Sequence, residues 1–257
     1  MIYSSNEPQT PPSDPTRVPR MVSIALPSYK PVTTMIILAL TVFLYLGQAL
    51  TQSTTNGNDI LFLLGGKINS LIEQGQIWRL ITPVFLHASI THVLLNMYAL
   101  FILGKVLESV YGHGRFLLLY FISAFTGNVA SFIFSANPSL GASTAIFGLI
   151  GAEAIFVIRN KRFYGSRYQS TLANIGVIIA LNLAIGFMPG TSIDYWGHIG
   201  GLIGGALFAF LAGPQWEVAG GTSAITIVDR QKNFNSILSG LLVVVVAAAA
   251  AIFMGGK

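Results

Sequence analysis

Residues 141–158 read GASTAIFGLIGAEAIFVI, an eighteen-residue run in which Glu153 is the single charged member. At 1.5 Å of rise per residue this makes a helix about 27 Å long, close to the roughly 30 Å of hydrocarbon in a bilayer. Six more apolar blocks flank it, at Val32–Leu50, Thr91–Tyr111, Phe116–Ser135, Leu172–Met188, Tyr195–Ala212 and Ile237–Met254. The expected architecture is an all-α polytopic membrane protein with seven spans. Residues 32–212 form a six-helix core, 213–236 a polar linker, and 237–254 an added seventh span.

Composition agrees. Of 257 residues 53% are hydrophobic and 9% charged, with a mean hydropathy of +0.68, whereas a soluble domain carries about 25% charged residues. An ordinary cytosolic enzyme is excluded. The net charge of +5 and pI near 9.6 do not point to nucleic acid, because the basic residues sit between spans as topology signals rather than on one face. With no cysteine, disulfides, thiolate nucleophiles and Cys-based metal sites are excluded, and no other metal site is indicated.

Seven of the eleven prolines fall in the first 31 residues, so residues 1–31 are expected to be a flexible tail dispensable for chemistry. With that tail in the cytoplasm, eleven of the fourteen Lys and Arg residues lie inside and Lys67, Arg79 and Lys257 outside, as the positive-inside rule requires. The simplest location is a bacterial plasma membrane. The second, fourth and sixth spans then enter from the outer face. The outer loop at 51–90 is long and has apolar runs of its own, which predicts a structured element resting on the membrane. Trp78-Arg79 within it is expected to be an interfacial anchor.

Polar groups inside spans are costly, and each is a functional candidate. The second span opens with His92 and Asn96, four apart and so on one face, with His87 just before it. The fourth opens with Gly141-Ala142-Ser143-Thr144-Ala145, and the sixth with Asp194-Tyr195-Trp196-Gly197-His198. Helical rise puts His92, Ser143, His198 and Asn96 roughly 2, 3, 5 and 8 Å below the start of their helices. A hydroxyl, two imidazoles and an amide from three helices thus share one shallow depth, with the chemistry of a nucleophile, a base and oxyanion donors. The overlapping G-x-x-x-G spacings of Gly197, Gly200, Gly201, Gly204 and Gly205 allow close approach of the sixth span to the fourth.

In these residues the chain resembles the rhomboid intramembrane serine proteases. The matching elements are Trp78-Arg79; His87, His92 and Asn96; Gly104, Glu108 and Gly112; Gly141-Ala142-Ser143; and His198, Gly201 and Gly205, all in order on the corresponding spans. The resemblance implies a Ser143–His198 dyad and an oxyanion hole of His92, Asn96 and the Ser143 N–H. It also implies a cavity for substrate at His87, Gly141, Ala142, Thr144 and Phe147, with Phe147 packed against His198. The fifth helix and the cap 189–193 would move to admit a transmembrane substrate helix. No cofactor is implied. The family motif G-x-S-G is broken by Thr144, a β-branched residue expected to narrow the cavity. The alternative function is a non-cleaving rhomboid-like binder of transmembrane helices. A solute transporter ranks below both, since it would need paired midplane charges.

Asp194 is expected to be the N-cap of its helix rather than a third catalytic member. His113, at the other end of the protein, is expected to be solvated. Glu153 and Lys105, at similar depths on their spans, are expected to pair.

Overall fold

The structure is a computed structural model that describes residues 28–188, 193–221, 224–231 and 233–254. Residues 1–27 of the expected tail lie outside these residues, as does most of the cap at 189–193. In chain order the helices are α1 (Val32–Thr54), α2 (Ile60–Gly65), α3 (Asn69–Glu73), α4 (Ile90–Tyr111), α5 (His113–Phe134), α6 (Ser143–Arg159), α7 (Lys161–Tyr164), α8 (Tyr168–Gly186), α9 (Tyr195–Ala212) and α10 (Asn233–Met254). Every expected span is a helix. Those that reach the length and hydropathy of a membrane span are α1, α4, α5, the stretch Lys161–Gly186, α9 and α10. The protein is an all-α, multi-pass integral membrane protein.

The helix that starts at Ser143 is shorter, at 17 residues. Its length is about 26 Å, a little under the hydrocarbon thickness. α6 can be short because it is enclosed, with 11 of its 17 residues buried. α9 packs on it through backbone contact, and α5 through side chains such as Ser123 against Gly148. A Cβ on Gly201 would lie 2.0 Å from the Thr144 carbonyl oxygen, and one on Gly205 2.3 Å from that of Gly148. Between apolar helices in lipid, such close packing replaces the hydrophobic drive available in water.

Two regions differ from expectation. Residues 213–236 are not a plain polar linker but carry an antiparallel hairpin, β1 (Trp216–Gly221) with β2 (Ala224–Asp229), in register Trp216 to Asp229. Its base is fixed by Asn160, which accepts from Trp216 N–H at 2.8 Å and donates to the Pro214 carbonyl at 3.0 Å. Arg159 and Arg162 donate to the carbonyls of Phe210 and Trp216. The β-branched run at 225–228 is the signal for a strand.

The loop at 51–90 is structured, as expected, but Arg79 is not an interfacial anchor. Only 2% exposed, it donates to the carbonyls of Gly66 (2.7 Å) and Leu63 (2.6 Å) and to Gln76 Oε1 (2.8 Å). A guanidinium has five donors in a rigid fork, and here it gathers the carbonyl ends of the loop. Trp78 stays half exposed.

Candidate active site

The segment before α6 is fastened to the loop at 51–90 at several points. Lys67 and Ser139 exchange both backbone hydrogen bonds, at 2.9 and 3.0 Å, and Gly141 N–H donates to the Pro83 carbonyl at 2.9 Å. The fully buried Lys67 ammonium donates to the carbonyls of Ser135 (2.7 Å) and Asn137 (3.0 Å), at the C-terminal end of α5 where positive charge is favoured. Gly141 has φ +130°, and a Cβ there would meet the His92 ring at 2.8 Å. Glycine is therefore required at this position both by backbone conformation and by the imidazole against it.

α6 starts at Ser143 without a side-chain cap, so the N–H groups of its first turn have no acceptor among the described residues and carry the positive end of the helix dipole. Facing them across Gly141 is α4, capped by Ser89, whose hydroxyl accepts from His92 N–H at 3.2 Å. His92 Nδ1 accepts from Ala88 N–H at 3.5 Å, which leaves the hydrogen of the neutral ring on Nε2, the atom turned toward Gly141. Asn96 lies one turn further along and is 8% exposed, and its amide has no partner within the protein among the described residues.

On the other side His198 occupies the first turn of α9. Asp194 caps that helix, accepting from Gly197 N–H at 2.9 Å, and makes no hydrogen bond to the imidazole. The His198 ring stacks on Phe147 with centroids 4.2 Å apart and planes inclined by 12°. Phe147 is one helical turn below Ser143, and the stack therefore brings the imidazole to the Ser143 side of α6. Ser143 and His198 are not joined by a hydrogen bond here, and His198 Nδ1 is buried without a partner among the described residues. At the same end, a cavity of about 810 Å³ opens between residues 134–139 and the start of α9 at Asp194–Trp196.

None of the five expected cavity residues lines that opening, Gly141 and Phe147 being buried as well. His87 and Ala142 are 0% exposed, and they contact each other: Ala142 N–H donates to His87 Nε2 at 3.4 Å. His87 is an anchor for the α6 entry, its ring 4.9 Å from His92 at 68°, and burial followed by the nearby His92 lowers its pKa to about 3. Thr144 is 4% exposed and points away, into the junction of α5 and α9. A Cβ on Gly127 would touch Thr144 Cβ at 2.7 Å, and one on Gly197 would touch its methyl at 3.0 Å. The β-branched residue thus fills a helix junction opposite two glycines and does not narrow the cavity.

Other expectations also change. Lys105 is exposed with its ammonium 4.6 Å from the Phe101 ring centroid, and among the described residues it makes no ion pair with Glu153. Equal depth on two helices says nothing of the direction each side chain takes around its axis. His113 is not simply solvated: half exposed, it lies 2.6 Å from Glu108 Oε1. Sequence reasoning missed Gln48, which is 0% exposed inside α1. It accepts from His87 N–H at 2.9 Å and donates to Asp59 at 2.6 Å. The rule that polar groups in spans are costly applies to it equally.

A short helix opening on an uncapped serine, flanked by imidazoles and an amide from two other spans, defines a helical membrane protein with a hydrolase-like constellation. The Rhomboid domain model matches residues 74–215, and the chain belongs to the rhomboid family. It is 43% identical over 184 residues to the Rhomboid protease GluP of Bacillus subtilis (strain 168), covering 72% of this chain and 35% of that protein. It is 40% identical to RHOMBOID-like protein 1 of Arabidopsis thaliana, covering 58% of this chain and 38% of that one. It is 35% identical to Rhomboid-like protease 1 of Toxoplasma gondii, covering 66% and 61%. The chain spans about a third to three fifths of the length of these relatives.

Proposed function

We propose that the protein is an intramembrane serine endopeptidase that hydrolyses peptide bonds in or near transmembrane segments of membrane proteins. The observation that carries this reading is Ser143 at the uncapped start of α6, with His198 stacked on Phe147 one turn below it, His92 against Gly141, and Asn96 one turn further along α4. Membership of a family with protease-named relatives supports it.

In the proposed reaction, Ser143 Oγ attacks the scissile carbonyl carbon while its proton passes to His198. The resulting oxyanion accepts from His92 Nε2–H, the Asn96 amide and the Ser143 N–H, and the free end of α6 adds favourable potential. His198 then delivers the proton to the leaving amine, and Ser143 is left as an acyl ester. Water, deprotonated by His198, attacks that ester, releases the acid and restores the serine. Apo contacts between nucleophile and base often tighten only when substrate is bound. In the proposed orientation the N-terminus is cytoplasmic and the Ser143 end faces outward, following the distribution of Lys and Arg.

The test uses purified protein with a fluorophosphonate probe and a single-span substrate. Wild type is expected to label and cleave, and Ser143→Ala and His198→Ala to do neither. Cleavage retained by Ser143→Ala would overturn the mechanism. Folded wild type that binds the substrate helix without labelling or cutting would transfer the reading to the non-cleaving alternative.

A further inference from the structure

A second cavity, of about 480 Å³, lies at the opposite end of the bundle from Ser143, between Tyr29, the start of α5 and Ser236 of α10. Its unmet polar groups are donors. α5 is 22 residues long and begins behind Gly112, which has no side chain to cap it, so the N–H groups of His113, Gly114 and Arg115 have no acceptor among the described residues. Ser236 is 1% exposed and its hydroxyl has no partner among them either. Arg115 Nη1 is likewise buried and unpartnered, while its Nε donates to the Tyr111 carbonyl at 3.0 Å and Nη2 lies 2.5 Å from Asp229.

The nearby carboxylates are already engaged. Asp229 accepts from the N–H groups of Gln215 and Gln231 and pairs with Arg115. Glu108 accepts from Thr33, Thr34 and His113. What remains is a guanidinium edge, a hydroxyl and a helix N-terminus, a combination that suits a phosphate. The position selects its carrier. The cavity lies where α4 ends and α5 and α10 begin, and beside it Leu117, Ile237, Leu238 and Leu241 face outward from their spans. A ligand there has its charged group at the interface and its chains along α5 and α10. Lys30, exposed beside Tyr29, favours a headgroup whose phosphate is not balanced by its own cation.

We propose that this cavity binds the phosphate of an anionic glycerophospholipid from the leaflet opposite Ser143. The test compares melting of the full-length protein in mild detergent doped with phosphatidylglycerol, with phosphatidylcholine, or with inorganic phosphate alone. Phosphatidylglycerol is expected to raise the Tm by roughly 5 °C, and the other two by much less. Gly114→Asp separates binding from folding. The Cβ would meet open space, and a carboxylate in the first turn suits the helix dipole while taking the donors from a phosphate. This variant is expected to fold with a basal Tm no lower than that of wild type and to lose most of the lipid shift, and Ser236→Ala to lose part of it. An equal shift with phosphatidylcholine, or a full shift retained by Gly114→Asp, would overturn the site. A full shift with inorganic phosphate alone would overturn the lipid assignment.

Discussion

The Glu108 carboxylate of α4 caps the N-terminus of α1 through Thr34: one oxygen accepts its backbone N–H at 2.7 Å and its hydroxyl at 2.6 Å, and the other accepts Thr33 N–H at 2.7 Å. Pro31 at the α1 cap position offers no side-chain acceptor of its own. Gly104, one turn earlier on α4, permits the approach, since a Cβ there would lie 2.6 Å from the Thr34 methyl. The spacing of Gly104 and Glu108 is thus a device for closing α1 onto α4. Charge-assisted bonds of this kind contribute about 1.5–3 kcal/mol each. Glu108→Gln is expected to lower stability by about 2 kcal/mol, and Glu108→Ala by more, read as a fall in Tm with little change in turnover. A Gln variant that melts with wild type would show that the cap is not required.

His87 makes the protein sensitive to acid. Folding lowers its pKa from 6.5 to about 3, by burial and then by His92. Between these values the unfolded chain takes up a proton that the folded chain refuses, so stability falls as the pH drops below about 6.5. Full stability is present above that point. The expected observation is a Tm that declines toward pH 4, with a shallower decline in His87→Gln. Equal slopes for the two proteins would assign the acid sensitivity to other groups.

The cost of burying polar groups in lipid makes most of the candidate site legible in the amino-acid sequence. Ser143, His198, His92 and Asn96 stand out because few polar groups interrupt these spans, and helical rise puts them at one depth. The same arithmetic fails for Glu153 and Lys105, because axial depth carries no information on azimuth. Azimuth also decides Thr144: the motif places it next to the nucleophile, but a step of 100° around the helix turns its side chain to the opposite junction. The hairpin at 216–229 is masked by the overall polarity of its segment, although Ile225, Thr226, Ile227 and Val228 form a strand-like run. Lys67 reads as an outer-face charge. Its burial depends on the 135–139 carbonyls, which no local pattern announces.

Thr144 gives a prediction from packing. Its hydroxyl is buried without a partner among the described residues, so it incurs desolvation without a compensating bond. Thr144→Val keeps the branched shape against Gly127 and Gly197 and is expected to stabilise by about 1 kcal/mol with hydrolysis unchanged. Thr144→Gly, the residue of the usual family motif, leaves a void in this junction and adds a helical glycine, for a loss of about 1–3 kcal/mol. Thermal melting of both variants beside a turnover assay decides the matter. Faster cleavage by the folded Thr144→Gly protein would mean that the side chain does obstruct the cavity.

Lys67 predicts the opposite end of the pH range. Burial lowers its pKa from 10.5 to about 8, and Asp194 offsets that only in part. Between pH 8 and 10.5 the unfolded chain keeps the proton and the folded chain releases it, so this group makes stability rise with pH across that window. The neutral amine still donates to the Ser135 and Asn137 carbonyls, and the link from the outer loop to the α6 entry survives deprotonation. Lys67→Met removes the titration together with those two bonds. The expected result is that wild type gains on the variant in Tm from pH 8 to pH 10, whatever their order at pH 7. If the difference between the two proteins stays constant over that range, the ammonium is not held in the buried setting from which the prediction follows.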